Sequence, residues 1–230
     1  MVAASFAGPV ERSARAAHCP PVISAEAGLA ELDPERRLDW IDQHLAVART
    51  RALAWSWAWG LGIGASGVAS LVVAPFDDPA NRVDWYTSAA SAAVGVVPLV
   101  VAPLAVIRDA RELRARRTAG ETAVDVCALL ADAEARLVRD ADDQRQQQRW
   151  WFHAGNLAFN TGVTLFLGLG FHHWTSGLIN GASGLVVGEA LILTQPTRSI
   201  DDLRAYRAGD LGSRAASGGP SVAWGYVTRF

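Results

Sequence analysis

Long stretches without a charged side chain alternate along the chain with stretches dense in Arg, Asp and Glu. Residues 52–76 and 85–107 contain no charged residue, and between residues 150 and 188 the only ionisable side chains are histidines. A helix needs about 20 apolar residues to cross a bilayer core about 30 Å thick. Helices buried inside soluble proteins seldom run this long without a charge, so the pattern predicts an all-α integral membrane protein.

The third uncharged stretch is too long for one membrane span, and the polar residues 172–177 indicate a turn within it. The sequence therefore predicts four transmembrane helices, near residues 53–75, 85–107, 151–171 and 174–195. We expect these helices to form two hairpins in a polytopic bundle. Tryptophan prefers the boundary between lipid tails and headgroups, and most of the tryptophans lie near a predicted span end: Trp55, Trp57, Trp59, Trp85, Trp150, Trp151 and Trp174.

The arginines are distributed unequally between the two sides of this predicted bundle. The first turn, residues 77–84, contains Arg82 alone, and the second turn contains none. The opposite side carries the arginines near both termini and nine more from Arg108 to Arg149. Because Arg and Lys are enriched in cytoplasmic loops, we expect both termini and the central segment to be cytoplasmic. A secreted N-terminus would invert this assignment.

The composition adds an expected location and a class of partner. All 21 basic residues are Arg, which together with abundant Ala and Gly favours a high-GC bacterial genome and hence the inner (plasma) membrane. The net charge of −2 gives no positive field for nucleic acid. We therefore expect the lipid bilayer, a second copy of the chain or another membrane protein as the partner. The alternating residues from Val222 to Phe230 resemble the last strand of an outer-membrane barrel, which leaves outer-membrane association as an alternative.

The charged stretches carry helix signals of their own. Asp33, Pro34 and Glu35 are typical of a helix start, and apolar residues then recur at helical spacing into the first span. We expect the second span to continue as a charged helix through Arg117. A second amphipathic helix is predicted from about residue 121 to 149, leading directly into the third span.

These signals divide the chain into four parts. Residues 1–32 are predicted to be a mostly flexible N-terminal segment, and residues 33–118 an amphipathic helix with the first hairpin. Residues 119–208 are predicted to be an amphipathic helix with the second hairpin, and residues 209–230 a flexible tail. The two hairpin units repeat the same order of elements, which indicates a possible tandem repeat. Convergence of two hairpins on one pattern is the alternative.

The two cysteines show no metal-ligand spacing. Cys19 and Cys127 are far apart in the sequence, and we expect two unpaired thiols. A disulfide between them is the alternative, and it would require both segments to lie in an oxidising compartment. His172 and His173 are adjacent but lack a third ligand, so neither a metal site nor a cofactor is predicted. Residues 1–10 lack the basic start and strongly apolar core of a signal peptide, but Ala14, Arg15 and Ala16 resemble a cleavage site, so a signal peptide is left as an alternative.

Glu189 is the only carboxylate inside a predicted span. A charge within the bilayer costs ~3 kcal/mol or more, so this side chain should face protein or water. Hairpin geometry places Glu189 level with Asn156, with His153 one turn away and Asn160 on the same side of the third span. We therefore predict a polar cluster of these four residues. It is either a protonated Glu hydrogen-bonded to Asn or a site for a proton, a cation or a substrate.

Small residues recur at the spacing that lets membrane helices approach closely. They form one row in the first span and two GxxxG pairs in the fourth, namely Ser56, Gly60 and Gly64, and Gly177, Gly181, Gly184 and Gly188. Packing inside the bundle is the first interpretation, and a homo-oligomer contact is the alternative. Pro98 and Pro103 are expected to kink the second span.

The sequence contains no Walker loop, dinucleotide fingerprint or HExxH motif. The first hypothesis is therefore a non-enzymatic scaffold, assembly factor or oligomeric subunit, with no catalytic residue assigned. A small proton- or cation-coupled transporter or channel that uses the Glu189 cluster is the second. A membrane-embedded enzyme with His153 and Glu189 as acid and base is the third.

Overall fold

The computed structural model describes residues 19–24, 27–119 and 125–212 of the chain. Every regular element within these ranges is helical, so the predicted all-α class is confirmed there. Three predictions lie outside the described residues. They concern the segment considered as a signal peptide, the start of the second amphipathic helix near residue 121 and the alternating residues at the C-terminus.

The described elements are seven α-helices and two short 3-10 helices. Their bounds are 3-10 Ala27–Glu31, α1 Pro34–Val73, 3-10 Ala74–Phe76, α2 Arg82–Val101, α3 Ala105–Thr118, α4 Val126–Gln147, α5 Trp150–Phe171, α6 Trp174–Leu193 and α7 Arg198–Arg207. The most extensive helix contacts are those of α5 with α6 and of α1 with α2. Helices α3, α4 and α7 pack against α1, and α4 also packs against α7.

Helix α1 begins where the sequence predicts. The Asp33 side chain accepts a hydrogen bond of 3.0 Å from the backbone N–H of Arg36, and Pro34 occupies the first turn, where its missing N–H costs nothing. The helix then continues without a break for 40 residues, a length of about 60 Å. One continuous helix therefore joins the charged half of the molecule to the apolar half.

The predicted continuation of the second span as one charged helix is wrong. Helix α2 ends at Val101, and α3 begins at Ala105. The break contains Pro103, which has no N–H to donate and which disfavours the helical conformation at the preceding residue, Ala102. Asp143 of α4 accepts a 3.2 Å hydrogen bond from the N–H of Ala105 and so caps the new helix. Pro98, by contrast, lies inside α2.

The buried apolar side chains lie mainly in the charged half of the molecule. The first half of α1 (residues 34–52), α3, α4 and α7, with residues 19–24 and 27–33, share one core, which we call the helical domain. Its fully buried aliphatic side chains include Leu38, Ile41, Leu45, Leu113, Leu130, Leu137 and Leu203. The amphipathic helices thus bury their apolar faces against one another, and both predicted hairpin units contribute to the core.

The apolar half of the molecule has the opposite distribution. The second half of α1 together with α2, α5 and α6 exposes large apolar side chains, such as Leu61 (64%), Val101 (76%) and Leu169 (65%). A soluble protein rarely exposes so large an apolar surface. In the part of the chain that the structure describes, three helical segments are long and apolar enough to cross a membrane: Pro34–Phe76, Arg82–Thr118 and Trp174–Arg207. Helix α5 has 22 residues and no Asp, Glu or Arg, but its asparagines lower its mean hydropathy.

Candidate functional site

Helices α5 and α6 pack in opposite directions along most of their length. Near the turn between them, Thr164 donates a 3.1 Å hydrogen bond to the carbonyl oxygen of Gly177. At the other end, Asn156 donates a 3.1 Å hydrogen bond to the carbonyl oxygen of Leu185. The turn consists of His172, whose φ of 62° is left-handed, and the next residue.

The close approach of α5 and α6 depends on glycine. The four α6 glycines predicted to mediate helix packing all face α5: Gly177, Gly181, Gly184 and Gly188. A Cβ atom on Gly177 would lie 2.8 Å from the backbone oxygen of Thr164, closer than carbon and oxygen tolerate. A Cβ atom on Gly184 would overlap the side-chain amide of Asn160. Gly181, Gly184 and Gly188 therefore make room for polar side chains of α5, and Gly177 for its backbone.

Glu189 of α6 lies between two polar side chains of α5. The His153 Nδ1 atom is 2.6 Å from Glu189 Oε2. Asn156 Nδ2 donates a 3.0 Å hydrogen bond to Glu189 Oε1. Each carboxylate oxygen therefore has its own partner, as a polar group in an apolar layer requires. The pair of His153 and Glu189 can hold one proton between an imidazole nitrogen and a carboxylate oxygen.

The polar contacts continue along α5 at four-residue intervals. Asn160 Nδ2 donates to the side-chain oxygen of Asn156 at 2.8 Å, and Thr164 Oγ1 donates to the backbone oxygen of Asn160 at 3.1 Å. The structure thus brings together the four residues that we predicted as a cluster, and it adds Thr164. These contacts follow α5 from its end next to the helical domain towards the turn between α5 and α6.

The cluster is open at one end and closed at the other. The side chains of Glu189 and His153 are 31% and 35% exposed, whereas Asn160 is buried. Trp150 and Trp151, which precede His153 on α5, are also exposed. A proton or a small cation could therefore reach the Glu189 carboxylate from the surface of the single chain. The same geometry would let His153 and Glu189 act as an acid and a base.

A second acid–histidine pair lies at the opposite end of the apolar half. The His173 Nδ1 atom is 2.9 Å from Asp84 Oδ1, and Ser88 donates a hydrogen bond to the side-chain oxygen of Asn180. These contacts join α2 to α6. We did not predict these contacts between α2 and α6. The sequence features that could have indicated them are the position of Asp84 just before the second predicted span and the position of His173 in the second predicted turn.

The predicted small-residue row of α1 makes looser contacts than the α6 glycines. Cβ atoms placed on Gly60 and Gly64 would each lie 4.0 Å from the nearest α2 atom, and Ser56 is half-buried. Among the α1 glycines, Gly67 makes the tightest contact with α2, since a Cβ atom there would lie 2.9 Å from the Cβ atom of Ala92. Gly67 lies outside the four-residue row that we predicted.

The helical domain contains a buried polar group of its own, which we call the buried triad: Arg37, Glu134 and Tyr206. Arg37 forms an ion pair with Glu134 and donates from Nε to the Tyr206 hydroxyl at 3.1 Å. The Tyr206 hydroxyl in turn donates to Glu134 at 2.6 Å. Burial, followed by the hydrogen bond to Glu134, raises the pKa of Tyr206, so it remains an un-ionised donor.

The N-terminal segment 19–24 completes the hydrogen bonding of the buried triad. Arg37 Nη1 donates to the backbone oxygen of Cys19 at 2.7 Å, and the backbone N–H of Val22 donates to Glu134 at 2.8 Å. Cys19 forms a disulfide with Cys127, with 5.2 Å between their Cα atoms. The expectation of two unpaired thiols is therefore wrong. A permanent disulfide would place this domain in an oxidising compartment, opposite to the side that the arginine distribution favours. The contacts that bring the segment to the start of α4 are long-range, and no local spacing reveals them.

Asp140 is a buried carboxyl group between α4 and α3. It is 1% exposed. Within the described residues neither of its oxygens has a well-formed hydrogen bond, although a loose one to Asp109 contributes to its pKa. Burial, together with the neighbouring charges of Asp109 and Asp143, raises the pKa of Asp140 to about 8. Asp109 is itself ion-paired with Arg136 at 3.3 Å and with Arg139 at 3.1 Å. Asp140 is therefore mainly un-ionised at neutral pH.

The chain matches no known protein-family model, no curated protein and no solved structure. Among the described residues, no group of three His, Cys, Asp or Glu side chains is arranged to hold a metal ion. The polar contacts described above and the division of the molecule into an apolar half and a helical domain are therefore the features that bear on function.

Proposed function

We propose that this chain is a non-enzymatic membrane scaffold, which holds the helical domain at the cytoplasmic face of a bacterial inner membrane. The observation that carries the proposal is the division of the molecule. One half has a buried core, while the other exposes its large apolar side chains to its surroundings. The first half requires water around it and the second requires lipid.

We propose four spans, with α5 as the additional one, arranged as two hairpins. Helix α5 is 22 residues long, enough to cross about 30 Å of hydrocarbon. Its asparagines and Thr164 direct their polar groups to α6 or to the helix backbone, so lipid would contact mainly apolar atoms. The arginine distribution supports cytoplasmic termini, because Arg82 is the only Arg on the side of the two turns.

The connections between the two halves support a rigid scaffold. Helix α1 passes from the helical domain into the apolar half without interruption. Only two residues separate α4 from α5, and only four separate α6 from α7. Trp55 and Trp59 both donate to Thr194 Oγ1, at 3.2 Å and 3.0 Å, and so fix α1 to the end of α6. A partner bound to the helical domain would be held at a constant distance from the bilayer.

The outer face of α3 supports a partner with an acidic surface. Arg108, Arg111 and Arg114 follow one another at three-residue spacing and are exposed. Within the described residues, the guanidinium groups of Arg111 and Arg114 have no hydrogen bond or ion pair, whereas Arg108 lies 3.8 Å from Glu112. The positive charges of this face are therefore available to carboxylates of another protein.

The proposed topology can be tested by labelling introduced cysteines in a Cys19→Ser, Cys127→Ser background. Asp78→Cys, in the first turn, and Thr175→Cys, just after the second turn, should react with a membrane-impermeant maleimide in spheroplasts. Arg111→Cys should react only after permeabilisation. Labelling of residue 175 from the same side as residue 111 would rule out α5 and α6 as two separate spans.

The scaffold role can be tested by co-purification of the full chain in detergent with its cellular partners. The double substitution Arg111→Glu, Arg114→Glu should remove a partner that the parent chain retains. Arg36→Glu is the matched control, because Arg36 is also exposed but lies on α1. Loss of the partner in both variants would show a nonspecific charge effect, contrary to the α3 surface.

A proton- or cation-coupled transporter is the second candidate, favoured by the 2.6 Å contact between His153 and Glu189. Glu189→Gln keeps the shape of the side chain and removes its charge. A transporter should then lose pH-dependent flux in proteoliposomes, and an enzyme that used His153 and Glu189 should lose turnover. A scaffold should retain the same co-purified partner as the parent chain. If Glu189→Leu also inserts and retains that partner, the transporter and enzyme candidates both fail.

A further inference from the structure

The disulfide of the helical domain links a short N-terminal segment to the start of α4. We propose that Cys19 and Cys127 form a reversible redox latch, which holds residues 19–24 over the buried triad when oxidised and releases them when reduced. This inference rests on the cytoplasmic placement of the helical domain under the proposed function. Disulfides in a reducing cytoplasm are mostly transient or redox-sensing, whereas permanent ones belong to oxidising compartments.

Within the described part of the chain, residues 19–24 are held to the helical domain by the disulfide, by two hydrogen bonds to the buried triad and by the packing of Cys19 and Ile23 against the core. The hydrogen bonds to the buried triad are the 2.7 Å bond from Arg37 to the Cys19 oxygen and the 2.8 Å bond from the Val22 N–H to Glu134. The Cys19 side chain is buried against the core, but the Val22 side chain is largely exposed. A segment with so few anchors opens locally far more readily than a helix of the core.

The two cysteines differ in a way that suits a latch. Cys19 is buried, whereas Cys127 is only partly buried, so an incoming thiolate meets the Cys127 side of the bond first. Cys127 lies in the first turn of α4, where its N–H is bonded to the side chain of Asp125 at 3.0 Å. The positive end of a helix favours a thiolate at Cys127 and the adjacent Asp125 carboxylate opposes it, so the greater exposure of Cys127 makes it the point of attack.

The chemistry is a balanced thiol–disulfide exchange with a dithiol reductant. One thiolate of the reductant attacks the Cys127 sulfur, forms a mixed disulfide and expels the Cys19 thiolate, which takes up a proton. The second thiolate of the reductant then attacks its own sulfur in the mixed disulfide and releases Cys127. Two electrons pass to the protein, the reductant becomes a disulfide, and the reverse sequence with a low-molecular-weight disulfide closes the latch.

Reduction would change what the buried triad presents to solvent. With residues 19–24 displaced, Glu134 loses the Val22 N–H and Arg37 loses the Cys19 oxygen, while their mutual ion pair and Tyr206 remain. Water would then replace the two lost hydrogen bonds, because a buried charge without partners is costly. The redox state of the two cysteines would thereby control how much of the buried triad is exposed to solvent.

The first test measures the redox response in cells that express the full chain. Thiols are trapped by acid and alkylated with a maleimide of high mass, before and after exposure of the cells to diamide or dithiothreitol. We expect the fraction of disulfide to change at least about fivefold between the two treatments. A fraction that stays fully oxidised or fully reduced under both would overturn the latch.

Labelling with the impermeant maleimide separates failure of the latch from failure of the proposed placement. If Arg111→Cys is labelled from outside the cell and the disulfide responds to neither diamide nor dithiothreitol, the cytoplasmic placement is wrong, and the proposed latch is wrong as well. If Arg111→Cys is protected and the disulfide never responds, the latch alone is wrong. Protection of Arg111→Cys together with a responsive disulfide supports both.

The second test measures release of the segment in the purified full chain. Hydrogen exchange at the backbone N–H of Val22 should accelerate roughly tenfold or more on reduction, while exchange in α6 stays unchanged. The Cys127→Ser variant should exchange as the reduced chain does, without added reductant. Cys19→Ser provides a second variant in case one substitution prevents folding. Equal exchange in the oxidised and reduced chains would show that the disulfide does not control the segment.

Discussion

Arg37 and Glu134 form an ion pair that is almost wholly removed from solvent, with 0% and 1% of their side-chain surfaces exposed. The partners are separated by 97 residues along the chain, so the pair fixes the first half of α1 against the middle of α4. Tyr206 bonds to both members and thereby adds α7 to the same point. Three helices of the helical domain therefore meet at one polar contact inside an apolar core.

Removal of one member of this pair should destabilise the helical domain strongly. Arg37→Met leaves the Glu134 carboxylate buried with only Tyr206 and the Val22 N–H as partners, and breaking a buried pair typically costs about 3–5 kcal/mol. The expected result is a large fall in the thermal midpoint of the detergent-solubilised chain, followed by near-ultraviolet circular dichroism. Arg36→Met, on the exposed side of the same helix turn, should leave the midpoint nearly unchanged.

Two buried carboxyl groups should make the helical domain less stable as the pH rises from about 4 to 8. Burial raises the pKa of Asp140 to about 8 and that of Asp202 to about 7, so the folded chain retains protons that the unfolded chain has released. Unfolding therefore releases protons in this range, and each such group lowers stability by at most about 1.4 kcal/mol per pH unit. Below about pH 4 the effect of both groups is absent. Burial lowers the pKa of His44, so this group acts in the opposite direction below about pH 6.5, and the net fall in stability is expected mainly between about pH 6.5 and 8.

Asp140→Asn should reduce this pH dependence and raise the thermal midpoint at pH 8 relative to the parent chain. The amide cannot ionise, and its NH2 group can still donate to Asp109, the neighbour whose side-chain hydrogen bond contributes to the raised pKa of Asp140. Asp142→Asn is the matched control, since its side chain is 64% exposed on the same helix. A parallel pH profile for parent and Asp140→Asn would contradict the assignment of the buried acid.

The parts of the fold that could be predicted depend on local signals. The Asp33 cap, the turn at His172 and the level of Glu189 relative to Asn156 all follow from residues within one helix or one hairpin. The break at Pro103 was also visible as a proline, but we expected a kink and not a complete helix end. Its cap comes from Asp143 of another helix, which the local sequence does not reveal.

The parts that could not be predicted are contacts between elements far apart in the sequence. Cys19 meets Cys127 only because α4 packs beside α1, and Asp84 meets His173 only because α2 packs beside α6. Periodicity indicates which face of a helix is apolar, but it does not identify the helix that will cover this face. Long-range polar pairs of this kind require the tertiary arrangement first.

Substitution of an α6 glycine should separate α5 from α6. Gly184→Ala places a methyl group on the side-chain amide of Asn160, which has little room to move because it is buried and bonded to Asn156. We expect a lower thermal midpoint and faster hydrogen exchange in α5. Gly162→Ala is the matched control, because no atom lies within 4 Å of the added methyl position. Equal effects of the two substitutions would show that close packing at Gly184 is unimportant.

The contact between Asp84 and His173 should couple the α1–α2 and α5–α6 pairs of helices. A double-mutant cycle with Asp84→Asn and His173→Gln isolates their interaction from the effects of each residue alone. We expect a coupling of about 0.5–2 kcal/mol, as for other polar contacts near or within a bilayer. The measurement is the unfolding free energy of the detergent-solubilised chain, with Asp78→Asn as an exposed control in the same turn. Additive effects of the two substitutions would mean that the contact between Asp84 and His173 does not stabilise the packing of α2 against α6. Ser88, Asn180 and apolar packing would then hold the two helices together.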